Sequence, residues 1–536
     1  MIINNTLLIT CLCLLGILSC YNRSIEQQGQ AELVGTTPLT AATQPNKANQ
    51  IRFKDMLGIN AFEWNFGSQR IPIEPEQAYF FKPFSSFRHY LDWRQIEENK
   101  GKYGYNPTSR GGWKYDEIYQ WCKEQDITVL ACIKTIPAWL LETYPPEKRD
   151  IENVPAPYGA DLSDPASYID HAKLGFQFAA RYGANKNVDP ALVHVNPKPH
   201  YDPNQVKIGL GLVKYVECNN EPDRWWKPTK VAQQTGSEYA ANMSAFYDGH
   251  KGTLGPGVGV KNADPNMQVV MGGIAAKPDF IKEMIDWCEK HRGRKADGSI
   301  DLCFDVLNYH HYSNNRQATR DRKEQRGVAP EISPSPEVAH QFLKFVINDL
   351  PGMEVWNTEV GYDVNEHSIQ RAIPIKEKSA LQTQADWNLR TALMYARLGV
   401  DRLFFYMLHD VDARSTIQYA SSGFVDKQNK PYTSKPTWDF LLQANKLIGE
   451  YFYQKTLNTD PIVDLYTLDD KSIYVLTVPD ERGREEKFEL AVGNRKQVRI
   501  HELVAGAKEM KTSTKDVANG KITVNVTETP IFVEVL

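Results

Sequence analysis

The chain has 536 residues, room for about three to four domains of average size or for one large α/β barrel with a small companion. Apolar residues at 41% and charged residues at 24%, spread along the whole length, exclude disorder as the main state. With 62 basic against 66 acidic residues the net charge is −4, so no basic bias draws the chain to nucleic acid or anionic lipid.

In chain order, residues 7–18 come first: they are nearly all apolar and end at Ser19-Cys20. The run is too short to span a bilayer and reads as the apolar core of a secretory signal. Ile17-Leu18-Ser19-Cys20 resembles the site where a bacterial lipoprotein signal is cut and its Cys lipidated, which makes Cys20 the candidate for lipidation. A plain cleaved signal is the alternative, because position 17 is Ile and residues 1–6 carry no Lys or Arg. A lipid chain would tether the protein to a membrane without embedding it. The expected location is therefore a bacterial envelope, periplasmic or cell-surface. Residues 21–50, rich in Gln, Thr, Ala and Asn, read as a flexible tether. Five cysteines lie beyond it, Cys122, Cys132, Cys218, Cys288 and Cys303. An odd number without CxxC spacing argues against a disulfide framework and a zinc site.

From residue 51 short apolar strands alternate with segments of helical period. Strands are expected at 56–62, 86–90, 128–134, 213–219, 268–272, 305–312, 354–359 and 402–408, with helices at 115–125, 165–182, 237–251, 279–291, 336–348, 379–398 and 437–448. Repeated βα units with near-continuous apolar strands indicate a parallel sheet. Eight of them indicate a (β/α)8 TIM barrel over 51–450. A doubly wound open sheet is the alternative, but no Gly-rich fingerprint follows the first strand. From 451 to 536 the runs 462–466, 472–477, 487–492, 497–503, 521–526 and 531–535 are short and β-rich, separated by turn residues. They indicate a small antiparallel β-sandwich, one that could borrow a strand from 50–54.

Active sites of such barrels lie at the C-terminal ends of the strands. Strand four ends Val216-Glu217-Cys218-Asn219-Asn220-Glu221-Pro222, and strand seven ends Trp356-Asn357-Thr358-Glu359-Val360-Gly361-Tyr362. Each sets a Glu where an apolar strand runs out. Two carboxylates facing across a barrel are the parts needed for glycoside hydrolysis, one as acid and the other as nucleophile or as the base that activates water. A neighbouring carboxylate and partial burial would raise the acid's pKa. Taken alone, Asn-Glu-Pro is also a common helix start, and Glu359 is also an ordinary strand-end carboxylate.

Asn220-Glu221-Pro222 resembles the acid/base motif of glycoside hydrolase clan A, the retaining (β/α)8 glycosidases, and Glu359 in its context resembles that clan's strand-seven nucleophile. His310 and Tyr312, two residues apart at the end of strand six, resemble the clan's His and Tyr there. They share one face with Asn308 by strand alternation. Phe87-Arg88 resembles the clan's strand-two Arg, and Ile136-Pro137-Ala138-Trp139-Leu140 the loop after strand three. Gly423-Phe424-Val425-Asp426 with Lys435-Pro436 resembles the stretch after strand eight in family 39 β-xylosidases, and the β-rich tail suits families 39 and 51. The chain departs from the clan at Phe404-Phe405-Tyr406-Met407, where many members carry a Trp, and in its tandem Trp225-Trp226.

The resemblance implies Glu221 as general acid and then base, and Glu359 as nucleophile. Asn220 would bind the sugar 2-hydroxyl, and Arg88 and Tyr312 would hold Glu359. His310 would line the site, and Trp139, Trp225 and Trp226 would stack on sugar faces. Glu63-Trp64 and His409-Asp410 are rim positions whose role stays open. No cofactor is called for. The adjacent His310 and His311 are not a metal pair, since neighbouring strand residues point to opposite faces. The expected partner is a carbohydrate, with no nucleic acid. Two alternatives stand beside a retaining hydrolase: a catalytically inactive carbohydrate-binding lipoprotein on the same scaffold, and an inverting enzyme, distinguished by carboxyl separation. The sugar, the linkage, endo or exo action and the oligomeric state stay open.

Overall fold

The computed structural model describes residues 47–197, 202–412, 415–426 and 430–536. The signal, Cys20 and nearly all of the tether lie outside the described residues. Eight strands, β1 (Leu57–Asn60), β2 (Ser86–Asp92), β3 (Thr128–Lys134), β4 (Tyr215–Cys218), β5 (Gln268–Met271), β6 (Val306–His310), β7 (Glu354–Val360) and β8 (Arg402–Tyr406), close into a parallel barrel in sequence order. Their residues are almost all buried, because one face lines the barrel and the other meets helices. The helices after β2 to β8 are α1 (Tyr115–Glu124), α2 (Ile169–Tyr182), α3 (Gly236–Asp248), α4 (Asp279–His291), α5 (Ser335–Asp349), α6 (Ala380–Leu398) and α7 (Pro436–Ile448). Between β1 and β2 the chain forms only the one-turn helix Pro75–Ala78 and short 3-10 turns.

Strand alternation stacks the barrel interior in layers. The floor is apolar: Leu130, Tyr215, Val270, Val306, Trp356 and Phe404 pack as one cluster. Gly58 completes it, since a Cβ there would lie 2.5 Å from the Phe404 ring. Two residues further along the strands the interior turns polar, with Asn60, Arg88, Glu217, Asn308 and Thr358, all buried. The sequence therefore puts a closed hydrophobic base under a buried layer of charge and hydrogen bonds.

The tail folds as β9 (Phe452–Thr459), β10 (Ile462–Leu468), β11 (Lys471–Thr477), β12 (Glu486–Ala491), β13 (Gln497–Glu502), β14 (Lys511–Asp516), β15 (Lys521–Val526) and β16 (Ile531–Val535). One sheet has the order β9-β10-β11-β16-β13-β14, and β12 pairs with β15 in a second. Val463, Leu476, Leu490, Val498, Val524 and Val533 belong to the core between them. Two of these strands, β9 and β14, are not among the expected ones. β14 is exposed throughout, so no apolar alternation marks it. The segment suggested for strand exchange, 50–54, instead makes a single bridge between Arg52 and Phe452.

Barrel and tail pack into one unit over 44–536. Phe53 meets the edge of Tyr466 with ring centroids 6.2 Å apart, and Arg397 at the end of α6 binds Asp464 of β10 at 2.7 Å. Arg390 of α6 donates to the Asp480 carbonyl at 3.0 Å. Asp464 is 1% exposed, so Asp464→Ala strands the Arg397 guanidinium in the interface. The expected cost is about 3–5 kcal/mol of stability, read as a lower denaturant midpoint. An unchanged midpoint would show that the pair does not hold tail to barrel.

Candidate active site

Beyond β4 the chain turns sharply. Asn219 and Glu221 both adopt positive φ, +68° and +45°. Asn tolerates the left-handed region, whereas Glu does so at a cost. The turn is pinned from within: the Asn219 side-chain oxygen accepts from the Asn220 amide at 2.8 Å and from Arg224 Nη2 at 3.1 Å. Arg224 Nη2 also donates to the Asn220 carbonyl at 2.5 Å. Glu221 is thereby thrown back over the barrel mouth.

On β7 the ladder slips. Tyr309 pairs with Asn357 but His310 pairs with Glu359, leaving Thr358 as an extra residue. A bulge of this kind re-aims side chains. Regular alternation would send Thr358 inward and Glu359 outward, yet both point into the barrel. Thr358 meets His310 at 2.9 Å, and Glu359 meets Arg88 at 2.9 Å.

Arg88, fully buried, fills the centre. Nε and Nη2 donate to the two oxygens of Glu217 at 2.6 and 2.9 Å. Nη1 donates to Asn60 Oδ1 at 2.8 Å and to Glu359 Oε1 at 2.9 Å. Nη2 also donates to Asn220 Oδ1 at 2.8 Å. All five guanidinium hydrogens thus meet an oxygen. Glu359 Oε1 further accepts from Tyr90 at 2.6 Å, and Oε2 accepts from Tyr312 at 3.0 Å. Burial by itself would raise the Glu359 pKa, but the charges of His310 and Arg88 and the Tyr90 hydrogen bond overcome it and hold the carboxyl well below its ordinary range. Burial and then the Glu359 charge push Tyr90 and Tyr312 up, so both phenols stay donors.

A second chain fixes the His310 tautomer. The Asn308 amide donates to Glu217 Oε1 at 3.2 Å and to the Met271 carbonyl at 3.1 Å, so its oxygen faces the Thr358 hydroxyl, which donates to it at 2.9 Å. Thr358 must then accept from His310 Nε2–H at 2.9 Å. The Nδ1 of His310 is left to share one proton with Glu221 Oε1, 3.0 Å away. Burial lowers the His310 pKa, but Glu359 and Glu221 raise it further, and the net shift is upward. One oxygen of Glu221, one of Glu359 and a His310 nitrogen lie within 4.8 Å of one another. A cation there would compete with the Arg88, Tyr90 and Tyr312 hydrogens for Glu359.

Glu221, Glu359, Asn220, Arg88, His310 and Tyr312 are therefore brought together. Trp225 and Trp226 are 56% and 41% exposed, perpendicular to each other at 5.4 Å, with Arg316 over the Trp225 ring at 5.6 Å. Trp139 differs from the expectation of a sugar platform. Its N–H goes to the Glu97 carbonyl at 3.2 Å, its edge meets Trp93, and Lys100 covers its ring at 4.9 Å. It is committed to packing the loops after β2 and β3. Of the rim residues, Glu63 is buried against Tyr115 and Asp410 pairs with Lys435 at 3.0 Å. Sequence reasoning gave no role to Tyr90, Asn60, Glu217, Asn308 or Thr358. The signal for Glu217 was a charge inside an apolar strand, which demands a buried counter-charge. For Tyr90 and Asn308 it was the period of two from Arg88 and His310.

No family model and no curated protein matches the sequence. Among solved structures the chain is similar to a family 39 glycoside hydrolase from the gut symbiont Bacteroides cellulosilyticus WH2, with 16% identity and a TM-score of 0.59 over 91% of this chain and 82% of that one. It is similar to a family 51 α-L-arabinofuranosidase from Bifidobacterium longum, with 11% identity and a TM-score of 0.52 over 91% and 96% of the two chains. It is also similar to the catalytic domain of a family 30 xylanase from Talaromyces cellulolyticus, with 10% identity and a TM-score of 0.52 over 89% and 96%. At these identities the likeness establishes a shared fold.

Proposed function

We propose that this protein is a retaining glycoside hydrolase that cleaves an O-glycosidic bond of an oligo- or polysaccharide by double displacement at Glu221 and Glu359. The observation that carries this is the approach of the two carboxylates, with oxygens within 4.8 Å. Retaining pairs stand about 5–5.5 Å apart, whereas inverting pairs need about 6.5–9.5 Å to admit a water. Oε1 of Glu359 is held by Arg88 and Tyr90, whereas among the described residues Oε2 accepts from Tyr312 alone, which leaves Oε2 a lone pair for the anomeric carbon. As that bond forms and the glycosidic bond breaks, Glu221 gives its proton to the leaving oxygen. Glu221, now a carboxylate, takes a proton from water, whose oxygen displaces Glu359 and frees the sugar with its original configuration. Asn220, whose oxygen is held by Arg88, turns one amide hydrogen to Glu221 Oε2 at 3.4 Å and keeps the other for the sugar 2-hydroxyl.

Glu359→Ala is expected to lose on the order of 10⁴-fold or more in kcat and to regain turnover with azide, giving a glycosyl azide of inverted configuration. Glu221→Ala should lose about 10²–10⁴-fold on substrates with poor leaving groups, and much less where the leaving group needs no proton. Full activity in either variant overturns the assignment.

Thr358 acts through His310 as a positioning residue. In Thr358→Val the His310 Nε2–H loses its acceptor, which destabilises the imidazolium more than the neutral ring. His310 then releases its proton at lower pH. The alkaline limb of kcat/KM is expected to move down by about one unit, the equivalent of one hydrogen bond to a charged group, and Thr358→Ser should restore it. An unmoved limb would remove Thr358 from the proton path.

Export and lipidation at Cys20 belong to the same reading, because an extracellular glycan must be met outside the cell. Cells fed labelled palmitate should label the wild type and not Cys20→Ser. An unlabelled wild type would favour the plain secretory signal.

A further inference from the structure

A row of aromatic rings leaves the nucleophile and climbs to the rim. It begins at Tyr90, whose hydroxyl donates to Glu359 at 2.6 Å. Phe62 follows, its centroid 6.0 Å from Tyr90. Trp64 lies flat on Phe62, at 4.6 Å and 9°, and Trp113 stands 6.3 Å beyond. Trp64 is 40% exposed.

Two features argue that the ring is held out on purpose. The turn that carries it is locked: Asn65 Oδ1 accepts from the Phe62 amide at 2.7 Å, the Asn65 amide donates back to the Phe62 carbonyl at 2.9 Å, and Glu63 is buried under Tyr115. Trp113 is fixed likewise, its amide donating to Thr108 Oγ1 at 2.9 Å while the Thr108 amide donates to the Trp113 carbonyl at 2.7 Å. Rings fixed before a ligand arrives lose little entropy when it binds. Beyond Trp113 the row ends in a recess of about 240 Å³ lined by Arg94, Gln95, Arg110 and Gly111. Gln95 Oε1 there is buried and finds no hydrogen-bond partner among the described residues. A Cβ on Gly111 would come within 3.0 Å of the Trp113 ring and 3.8 Å of that oxygen.

We infer that Phe62, Trp64, Trp113 and this recess form a binding track for a glycan chain, and that the protein cleaves inside polysaccharides. The inference rests on the hydrolase reading above. Sugars present flat C–H faces to aromatic rings, and their hydroxyls suit the Arg94 and Arg110 donors. The track starts at the nucleophile and so holds the part of the substrate that stays on Glu359. The inference further places Trp225 and Trp226, four and five residues after the acid, on the side of the leaving group. A chain bound on both sides of the scissile bond is cut internally.

The test uses the mature chain on soluble arabinoxylan, carboxymethylcellulose and arabinan, beside the 4-nitrophenyl glycosides of xylose, glucose and arabinofuranose. Wild type should lower the viscosity of a polymer well before reducing ends accumulate. Trp64→Ala and Trp113→Ala, with thermal midpoints matched to wild type, should lose at least about tenfold more kcat/KM on that polymer than on the nitrophenyl glycoside. Trp64→Phe should recover most of the loss. Equal losses on polymer and glycoside, or single sugars released from chain ends at the earliest times, overturn the track. So does turnover of nitrophenyl glycosides with none of any polymer, a result that leaves the hydrolase reading standing. Turnover of neither class by wild type removes that reading and the track with it.

Discussion

The Arg88 guanidinium holds the site together. It reaches β1 through Asn60, β4 through Glu217, the turn beyond β4 through Asn220 and β7 through Glu359, so four parts of the barrel are positioned by one planar group. A charge this deeply buried is tolerable only with a partner and with every hydrogen satisfied. Glu217 supplies the partner through a two-point contact, the strong geometry for an Arg–carboxylate pair. This division of charge matters for chemistry. Had the fork closed on Glu359, both of its oxygens would be tied up. Instead Glu217 absorbs most of the positive charge, and Glu359 receives a single N–H on one oxygen.

The two glutamates reach their places through irregular backbone. A regular β7 could not aim Thr358 at His310 and Glu359 at Arg88 together, because consecutive strand residues diverge. The inserted residue resolves the conflict. Across the barrel, positive φ at Asn219 and Glu221 folds the Glu221 side chain back over the mouth. Both departures sit at the ends of well-packed strands, where the surrounding hydrogen bonds can hold a strained conformation. The same Glu217 carboxylate anchors both, through Arg88 on one side and the Asn308–Thr358–His310 chain on the other.

How much of this could be read from the sequence follows from the same physics. The barrel strands were legible because burial on both faces leaves continuous apolar runs, and Glu221 and Glu359 because charges break those runs at their ends. Tyr90 and Asn308 were within reach of period-two counting. Thr358 was not, because a bulge shifts the period without marking the composition. β14, Lys-Thr-Ser-Thr-Lys-Asp, carries no apolar face, so its pairing with β13 depends on a neighbour that local sequence does not show. Trp139 and Trp64 show the limit for large amphipathic rings. Both lie in loops at the strand ends, but a carbonyl, a Trp edge and a Lys occupy the first, while a locked turn holds the second outward.

The polar cluster and the aromatic rim are thus built from different parts of the chain. Arg88, Glu221 and Glu359 stand on or just beyond strands, where packing fixes them, and the aromatic rim stands on loops that need their own restraints. Two of those restraints are buried carboxyls. Glu63 accepts from Tyr115, and Glu97 accepts from Trp93 Nε1 and from the Gly101 amide, each at 2.6 Å. Burial, only partly offset by these hydrogen bonds, pushes both up to about 7 from 4.5. Their pKa values are higher in the folded than in the unfolded chain, so folding takes up protons between those values and stability falls as pH rises through that window. The loops that carry Trp64 and Trp139 are therefore held most firmly on the acid side of neutrality.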